Sequence, residues 1–201
     1  GDQIIEAIRN HTSQEKHEAR SRVEELFDVV GLESDLMDSY PHEFSGGMRQ
    51  RAMIAMSLAL DPGLIIMDEP TTGLDVLVQE RILRRIREIR SHIASSIILI
   101  THDIAVIAEM SDRIAVMYLG RLLEQGDTRS IFKSPAHPYT RVLLDAVPQP
   151  DPAKRRELAS IEGEVPSLRD RPAGCEFHPR CKFRQERCLS ESPESRPLAD
   201  G

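Results

Sequence analysis

The chain lacks the features that carry a protein into or across a membrane. None of the apolar runs in its 201 residues approaches the roughly 20 residues that a membrane-spanning helix needs. The first residues, GDQ, have neither the basic nor the apolar region of a secretion signal. We therefore expect a cytoplasmic location, with a membrane protein still open as a partner.

An excess of positive charge is lacking too, which argues against one large class of partners. The sequence has 26 Lys and Arg residues against 33 Asp and Glu residues, for a formal net charge of −7. General nucleic-acid binding is not expected, because neutralising a phosphate backbone requires a basic surface. Nucleotides remain open as ligands, since backbone N–H groups and a metal ion can hold them locally.

Cysteine is absent until the last part of the chain, where Cys175, Cys181 and Cys188 lie together. An odd, clustered set without a secretion signal favours reduced thiols or a metal site over a disulfide framework. Iron–sulfur clusters generally take four thiolates, whereas His178 would complete a zinc site with three cysteines and one histidine. Reduced thiols, zinc and an iron–sulfur cluster all stay open at this point.

What the sequence does contain is an alternation of helix and strand patterns. Short, continuous apolar runs at 64–67 and 97–100 predict strands buried on both faces, as in a parallel sheet. Helices are predicted from apolar spacing, caps and breakers at 23–30, 48–60, 76–90 and 104–110. This order of elements predicts an α/β fold with parallel strands.

The character of the chain changes near residue 120. Segments 113–118 and 121–125 flank Leu119 and Gly120, which predicts a hairpin. Beyond Asp127 proline and charge are frequent, so we expect a loosely built accessory tail. The predicted organisation is therefore residues 1–120 followed by residues 121–201.

Three segments carry the candidate chemistry. Residues 44–51 read FSGGMRQR, where adjacent glycines before a helix let backbone N–H groups approach an anion, and Ser45 adds a hydroxyl donor. The run LIIMDEP places Asp68 and Glu69 at the carboxyl end of a strand, where α/β folds hold ligand groups. His102 directly follows the second strand. Each segment alone has a structural alternative: a capped turn, an acidic turn and a strand-end histidine.

Together, in this order and spacing, the segments resemble the signature motif, the Walker B strand and the switch histidine of an ABC-type ATPase. Residues 71–75, TTGLD, resemble its D-loop. Residues 134–140, SPAHPYT, and 174–181, GCEFHPRC, are similar to the tail of oligopeptide and dipeptide importer ATPases. The phosphate-binding motif G-x-x-x-x-G-K-[ST] (Walker A) is absent from the 201 residues. The chain is thus identified as the carboxyl-terminal part of such an ATP-binding subunit, without Walker A and the Q-loop.

The resemblance implies a role for each candidate residue. Glu69 would polarise the attacking water and His102 would help to orient it, while Asp68 would hold Mg²⁺. Contacts to the nucleotide are implied for Ser45, Gly46, Gly47, Met48 and Asp75. A [4Fe–4S] cluster in the intact protein is implied for Cys175, Cys181 and Cys188, in addition to the zinc site that their residue types leave open.

The resemblance further implies a partial P-loop NTPase fold with a helical subdomain, and ATP and Mg²⁺ as cofactors. The implied partners are a second ATPase subunit and membrane-spanning permease subunits, on the inner face of the cell membrane. Together they would couple ATP hydrolysis to import of dipeptides, oligopeptides or nickel. Without Walker A, this chain alone is expected to be inactive. A non-transport ABC ATPase and a non-enzymatic metal-binding or regulatory module remain as alternatives.

Overall fold

The computed structural model describes residues 1–90, 95–147 and 163–198 of the chain. It divides into two compact units, Gly1–His102 and Asp103–Gly201, each of which is described by itself. The predicted boundary near residue 120 instead falls inside the second unit. In the described ranges, no helix is both long and apolar enough to cross a membrane.

The first unit combines helices with a parallel pair of strands. Its elements are α1 (Asp2–His11), α2 (Lys16–Val30), α3 (Gly46–Leu58), β1 (Leu64–Asp68), α4 (Val76–Arg90) and β2 (Ser96–Ile100). Strands β1 and β2 pair in parallel register, with Asp68 opposite Ile100. The predicted α/β fold with parallel strands is therefore confirmed.

Helix α2 is central to the packing of this unit, because it contacts α1, α3 and α4. Its predicted apolar face is buried: Val23, Leu26, Phe27 and Val30. Gly31 ends the helix with a φ of +70°, a left-handed conformation that glycine adopts without a steric penalty.

Two arginines join the carboxyl end of α2 to its neighbours. Arg51 of α3 donates from Nη1 to the carbonyl oxygen of Gly31 at 2.5 Å. Arg85 of α4 donates from Nη2 to the carbonyl oxygen of Asp28 at 2.5 Å. The last carbonyls of a helix lack partners within the helix and carry partial negative charge, so both contacts are favourable.

The prediction that both strands are buried on two faces is wrong. Ile65 and Met67 of β1 are buried, but the side chains that alternate with them point to an exposed face. This face is apolar and consists of Leu64 and Ile66 on β1 and Ile98 and Ile100 on β2. The apolar run predicted the strands correctly, whereas burial on both faces also requires a layer on each side of the sheet.

The second unit begins with a helix and a hairpin: α5 (Ile104–Met110), β3 (Arg113–Tyr118) and β4 (Arg121–Asp127). The two strands pair antiparallel, with Tyr118 opposite Arg121. Leu119 and Gly120 connect them with φ values of +48° and +75°. Positive φ at both central residues is the requirement of a type I′ turn, so the predicted hairpin is confirmed.

The segment after the hairpin is more regular than a loosely built tail. It contains α6 (Thr128–Lys133) and α7 (Pro138–Asp145). The carboxylate of Glu124 accepts hydrogen bonds from the backbone N–H groups of Ala136, at 2.7 Å, and His137, at 3.0 Å. This contact from β4 fixes the proline-containing approach to α7, which composition alone does not reveal. Residues 163–198 then contain 3₁₀ turns at His178–Arg180 and Glu186–Leu189.

Candidate functional site

The parallel pairing of β1 and β2 brings the predicted catalytic residues together. The backbone N–H of Glu69 donates to the carbonyl oxygen of Ile100 at 2.9 Å, which continues the ladder one residue beyond β1. His102 follows Ile100 by two residues, and its Nδ1 lies 2.7 Å from Oε1 of Glu69. The carboxyl ends of two neighbouring parallel strands thus place a carboxylate and an imidazole within hydrogen-bonding distance of each other.

Glu69 occupies a backbone conformation that is unusual for its residue type. Its φ of +47° lies in the left-handed region, which costs a residue with a Cβ about 1–2 kcal/mol. The contacts that stabilise it come from Thr72, whose N–H donates to the Glu69 carbonyl oxygen at 3.2 Å. The Thr72 hydroxyl also donates to Oε2 of Glu69 at 2.6 Å. Strain that the surroundings maintain in this way is typical of functional positions.

The charge state of Glu69 follows from these contacts. The hydrogen bond from Thr72 and, next, that from His102 lower the pKa of the Glu69 carboxyl, so it is ionised at neutral pH. Because an ionised carboxylate can only accept hydrogen bonds, Nδ1 of His102 carries the proton. The side chain of Glu69 is 35% exposed and that of His102 is 81% exposed, so water can reach the pair. This arrangement can accept a proton from a water molecule.

Asp68 differs from Glu69 in that its carboxylate has no hydrogen-bond partner among the described residues. It is the last residue of β1, is exposed, and takes no hydrogen bond or ion pair from the described residues. Mg²⁺ prefers carboxylate oxygens and retains several of its waters. The chemistry and exposure of Asp68 therefore fit its predicted role as a magnesium ligand.

The predicted signature segment forms the start of α3. Ser45 is the N-cap, and its Oγ accepts a hydrogen bond from the backbone N–H of Met48 at 3.3 Å. Gly46 and Gly47 are the first two helical residues, where backbone N–H groups have no partner within the helix. Asp75 has the corresponding position on α4, where its Oδ1 accepts from the N–H of Val78 at 3.0 Å.

These two helix starts lie directly against each other. A Cβ on Gly47 would come within 2.6 Å of Cγ1 of Val78, and a Cβ on Gly46 within 3.3 Å of Cδ2 of Leu74. Glycine at position 47 therefore permits a close approach between α3 and the first turn of α4. The structure brings the predicted signature and D-loop segments together within one unit, and Glu69 with His102 within the same unit.

The sequence prediction missed one contributor to the site, the hydroxyl of Thr72. The resemblance treats residues 71–75 as a unit and implies a role only for Asp75. The available signal was local: a threonine three residues after an acidic residue often closes a hydrogen-bonded turn. The contact to the Glu69 side chain depends on the left-handed backbone at Glu69, which the sequence does not reveal.

The three cysteines lie in the second unit and are free thiols. Cys175 is buried, and all three pack in a cluster with Tyr118 and Phe177. Burial raises the pKa of the Cys175 thiol, which disfavours the thiolate form that metals bind. No group of three or more His, Cys, Asp or Glu side chains within residues 1–90, 95–147 and 163–198 is arranged to hold a metal ion. The predicted iron–sulfur or zinc site thus gains no support from the geometry.

Comparison with protein families gives two matches along the chain. Residues 2–72 match the family described as ABC transporter. Residues 123–188 match the oligopeptide/dipeptide transporter C-terminal region. The first match includes the segment 44–51 and the pair Asp68–Glu69, and the second includes all three cysteines.

Individual relatives match the whole chain. It is 46% identical to the dipeptide transport ATP-binding protein DppD of Escherichia coli (strain K12), over 100% of this chain and 62% of that protein. It is 42% identical to the probable peptide ABC transporter ATP-binding protein y4tS of Sinorhizobium fredii, over 100% of this chain and 57% of that protein. The chain thus spans less than two thirds of the length of these relatives.

A solved structure supports the fold. It is cbiO1 from Clostridium perfringens, described as part of the ABC transporter complex cbiONQ. The similarity has a TM-score of 0.58 at 31% identity and covers 65% of this chain and 51% of that one.

Proposed function

The chain belongs to the ATP-binding proteins of ABC transporters, in the oligopeptide/dipeptide branch, and we propose that it forms part of an ATPase that drives peptide import. The hydrogen bond between Glu69 and His102, at 2.7 Å, is the observation that carries the catalytic part of this proposal. The chain covers 62% of the Escherichia coli relative. The phosphate-binding motif is not among its 201 residues.

In the proposed reaction, Glu69 accepts the proton of the water that attacks the γ-phosphate of ATP. Its ionised state and its exposure support this role. His102 holds Oε1 of Glu69 and orients the carboxylate. Mg²⁺ at Asp68 would supply charge neutralisation for the phosphates when bound.

The start of α3 is proposed to contact the nucleotide held by a second ATPase subunit. The N–H groups of Gly46 and Gly47 and the helix dipole favour a bound anion, and the Ser45 hydroxyl can donate its proton to a phosphate oxygen. Met48 and Asp75 would lie beside the same nucleotide. Their current contacts, as partner of the Ser45 cap and as cap of α4, are compatible with this placement.

Peptide is proposed as the solute because the match at residues 123–188 is to the peptide-transporter type of tail. The proposed partners are a second ATPase subunit and membrane-spanning permeases, with the protein on the inner face of the membrane. The matches favour this over a non-transport ATPase. No metal is assigned to the three cysteines, because within the described ranges they form no group of three or more side chains arranged to hold one.

The test is ATP hydrolysis by the complete transporter that contains this sequence. We expect Glu69→Gln to lower kcat by about a hundredfold or more, the usual contribution of a general base, with little change in KM. Glu6→Gln is the matched control, because Glu6 is an exposed residue of α1 outside the site. Peptide uptake into vesicles should fall in parallel with hydrolysis. Undiminished turnover of Glu69→Gln would show that Glu69 is not the base.

A further inference from the structure

The two carboxylate oxygens of Glu69 have different partners. Oε2 accepts from the Thr72 hydroxyl at 2.6 Å, and Oε1 lies 2.7 Å from Nδ1 of His102. Thr72 belongs to the same turn as Glu69, whereas His102 reaches it from the neighbouring strand. The carboxylate is therefore held from two elements, and the hydroxyl of Thr72 limits its rotation about the side-chain axis from the side of its own turn.

We propose that Thr72 is a positioning residue for Glu69: its hydroxyl holds Oε2 and thereby fixes the orientation in which the carboxylate receives the proton of the attacking water. This inference rests on the proposed role of Glu69 as the base. Each carboxylate oxygen has two acceptor positions, so the carboxylate can bind Thr72 and His102 and still accept a proton from water. Thr72 itself does not contact the reacting atoms.

The alternative is a purely structural role, in which the Thr72 hydroxyl only closes a turn. The turn is already closed by the backbone, because the N–H of Thr72 donates to the Glu69 carbonyl oxygen at 3.2 Å. The adjacent Thr71 is buried, as expected of a structural threonine, while Thr72 is exposed. The hydroxyl contact thus adds little burial or packing, and its distinct effect is on the orientation of the Glu69 side chain.

The experiment compares kcat and KM of the complete transporter ATPase for Thr72→Val and Thr72→Ser. Valine has the shape of threonine without the hydroxyl, and serine retains it. We expect Thr72→Val to lower kcat by about tenfold to a hundredfold with KM nearly unchanged, as for a misplaced catalytic group, and Thr72→Ser to recover most of the rate. Thr12→Val, on an exposed threonine at the end of α1, is the matched control and should not alter turnover.

A double variant separates positioning from a general structural effect. If Thr72 acts through Glu69, Thr72→Val should cause no further loss in single-turnover hydrolysis when Glu69→Gln is already present. An equal loss in both backgrounds would assign Thr72 a structural role and overturn the inference. Normal kcat in Thr72→Val, with Glu69→Gln inactive, would overturn it and leave the proposed function intact. Should Thr72→Val not fold, Thr72→Ala removes the same hydroxyl from an exposed position, and the same outcomes apply.

Discussion

Gly47 is the residue on which the contact between the starts of α3 and α4 depends most directly. A side chain there would meet Cγ1 of Val78 at 2.6 Å, far inside ordinary contact distance. Valine is branched at Cβ and has few alternative rotamers in a helix, so it cannot easily move aside. Gly46 is different, because its nearest neighbour is the terminal Cδ2 of Leu74 at 3.3 Å. The two adjacent glycines therefore have unequal steric requirements, which the sequence GG does not distinguish.

We accordingly expect Gly47→Ala to destabilise the first unit by about 1–3 kcal/mol, the usual cost of overpacking. Gly46→Ala is the matched control and should be close to neutral, because alanine's higher helix propensity offsets the small displacement of Leu74. Urea unfolding of the purified chain would measure both. Adding Val78→Ala to Gly47→Ala should recover part of the loss. Equal stabilities of the two glycine variants would contradict the steric explanation.

Helix α7 illustrates how a short element is specified by its cap. His137 is the N-cap, and its Nδ1 accepts from the N–H of Tyr139 at 3.1 Å, so this nitrogen must be unprotonated. Pro138 is in the first turn, where its missing N–H has no cost. The ring of His137 also lies 5.9 Å from that of Phe177. Burial lowers the pKa of His137, with a smaller opposing effect from Glu124.

This cap should make the second unit sensitive to mild acid. Because the folded-state pKa of His137 is below its ordinary value, the unfolded state binds the proton first as the pH falls below about 6.5. The contribution of His137 to the free energy of unfolding is therefore fully present above that pH, and it decreases on acidification until the folded-state pKa is reached. His137→Asn keeps a capping oxygen but cannot titrate, so it should remove this part of the pH dependence.

Tyrosine fluorescence during urea unfolding provides the measurement for His137. In a Tyr40→Phe background, both remaining tyrosines, Tyr118 and Tyr139, lie in the second unit. The free energy of unfolding at pH 7.5 and 5.5 would then be compared between that background and its His137→Asn derivative. The same pH dependence in both would show that the drop arises from other groups.

On the scale of the whole molecule, the sequence predicted the helices and strands better than it predicted which of their faces are covered and which residues join them. The parallel pair and the hairpin at Leu119 and Gly120 followed from apolar runs and turn residues, whereas the roles of Glu69 and His102 came from the resemblance. The exposed apolar face of β1 and β2, and α6 and α7, were not predicted. The exposed face depends on which layers cover the sheet, which no local pattern encodes. For α7 the cap is a local signal, but the contact of Glu124 with the backbone before the helix is not.

The distribution of motifs leads to a prediction for the isolated chain. It holds the candidate base and the candidate magnesium ligand, but its 201 residues contain no phosphate-binding loop. Without that loop the β- and γ-phosphates of ATP have no cradle of backbone N–H groups and no lysine contact. Glu69 would then face a substrate that is not fixed in reacting geometry, and most of the advantage of positioning would be lost. We expect no magnesium-dependent ATP turnover above background by the purified chain.

The Glu69→Gln form of the same chain, purified in parallel, defines the background from contaminating enzymes. Phosphate release by the parent chain that its Glu69→Gln form lacks would contradict the expectation and would show that these residues bind and hydrolyse ATP by themselves.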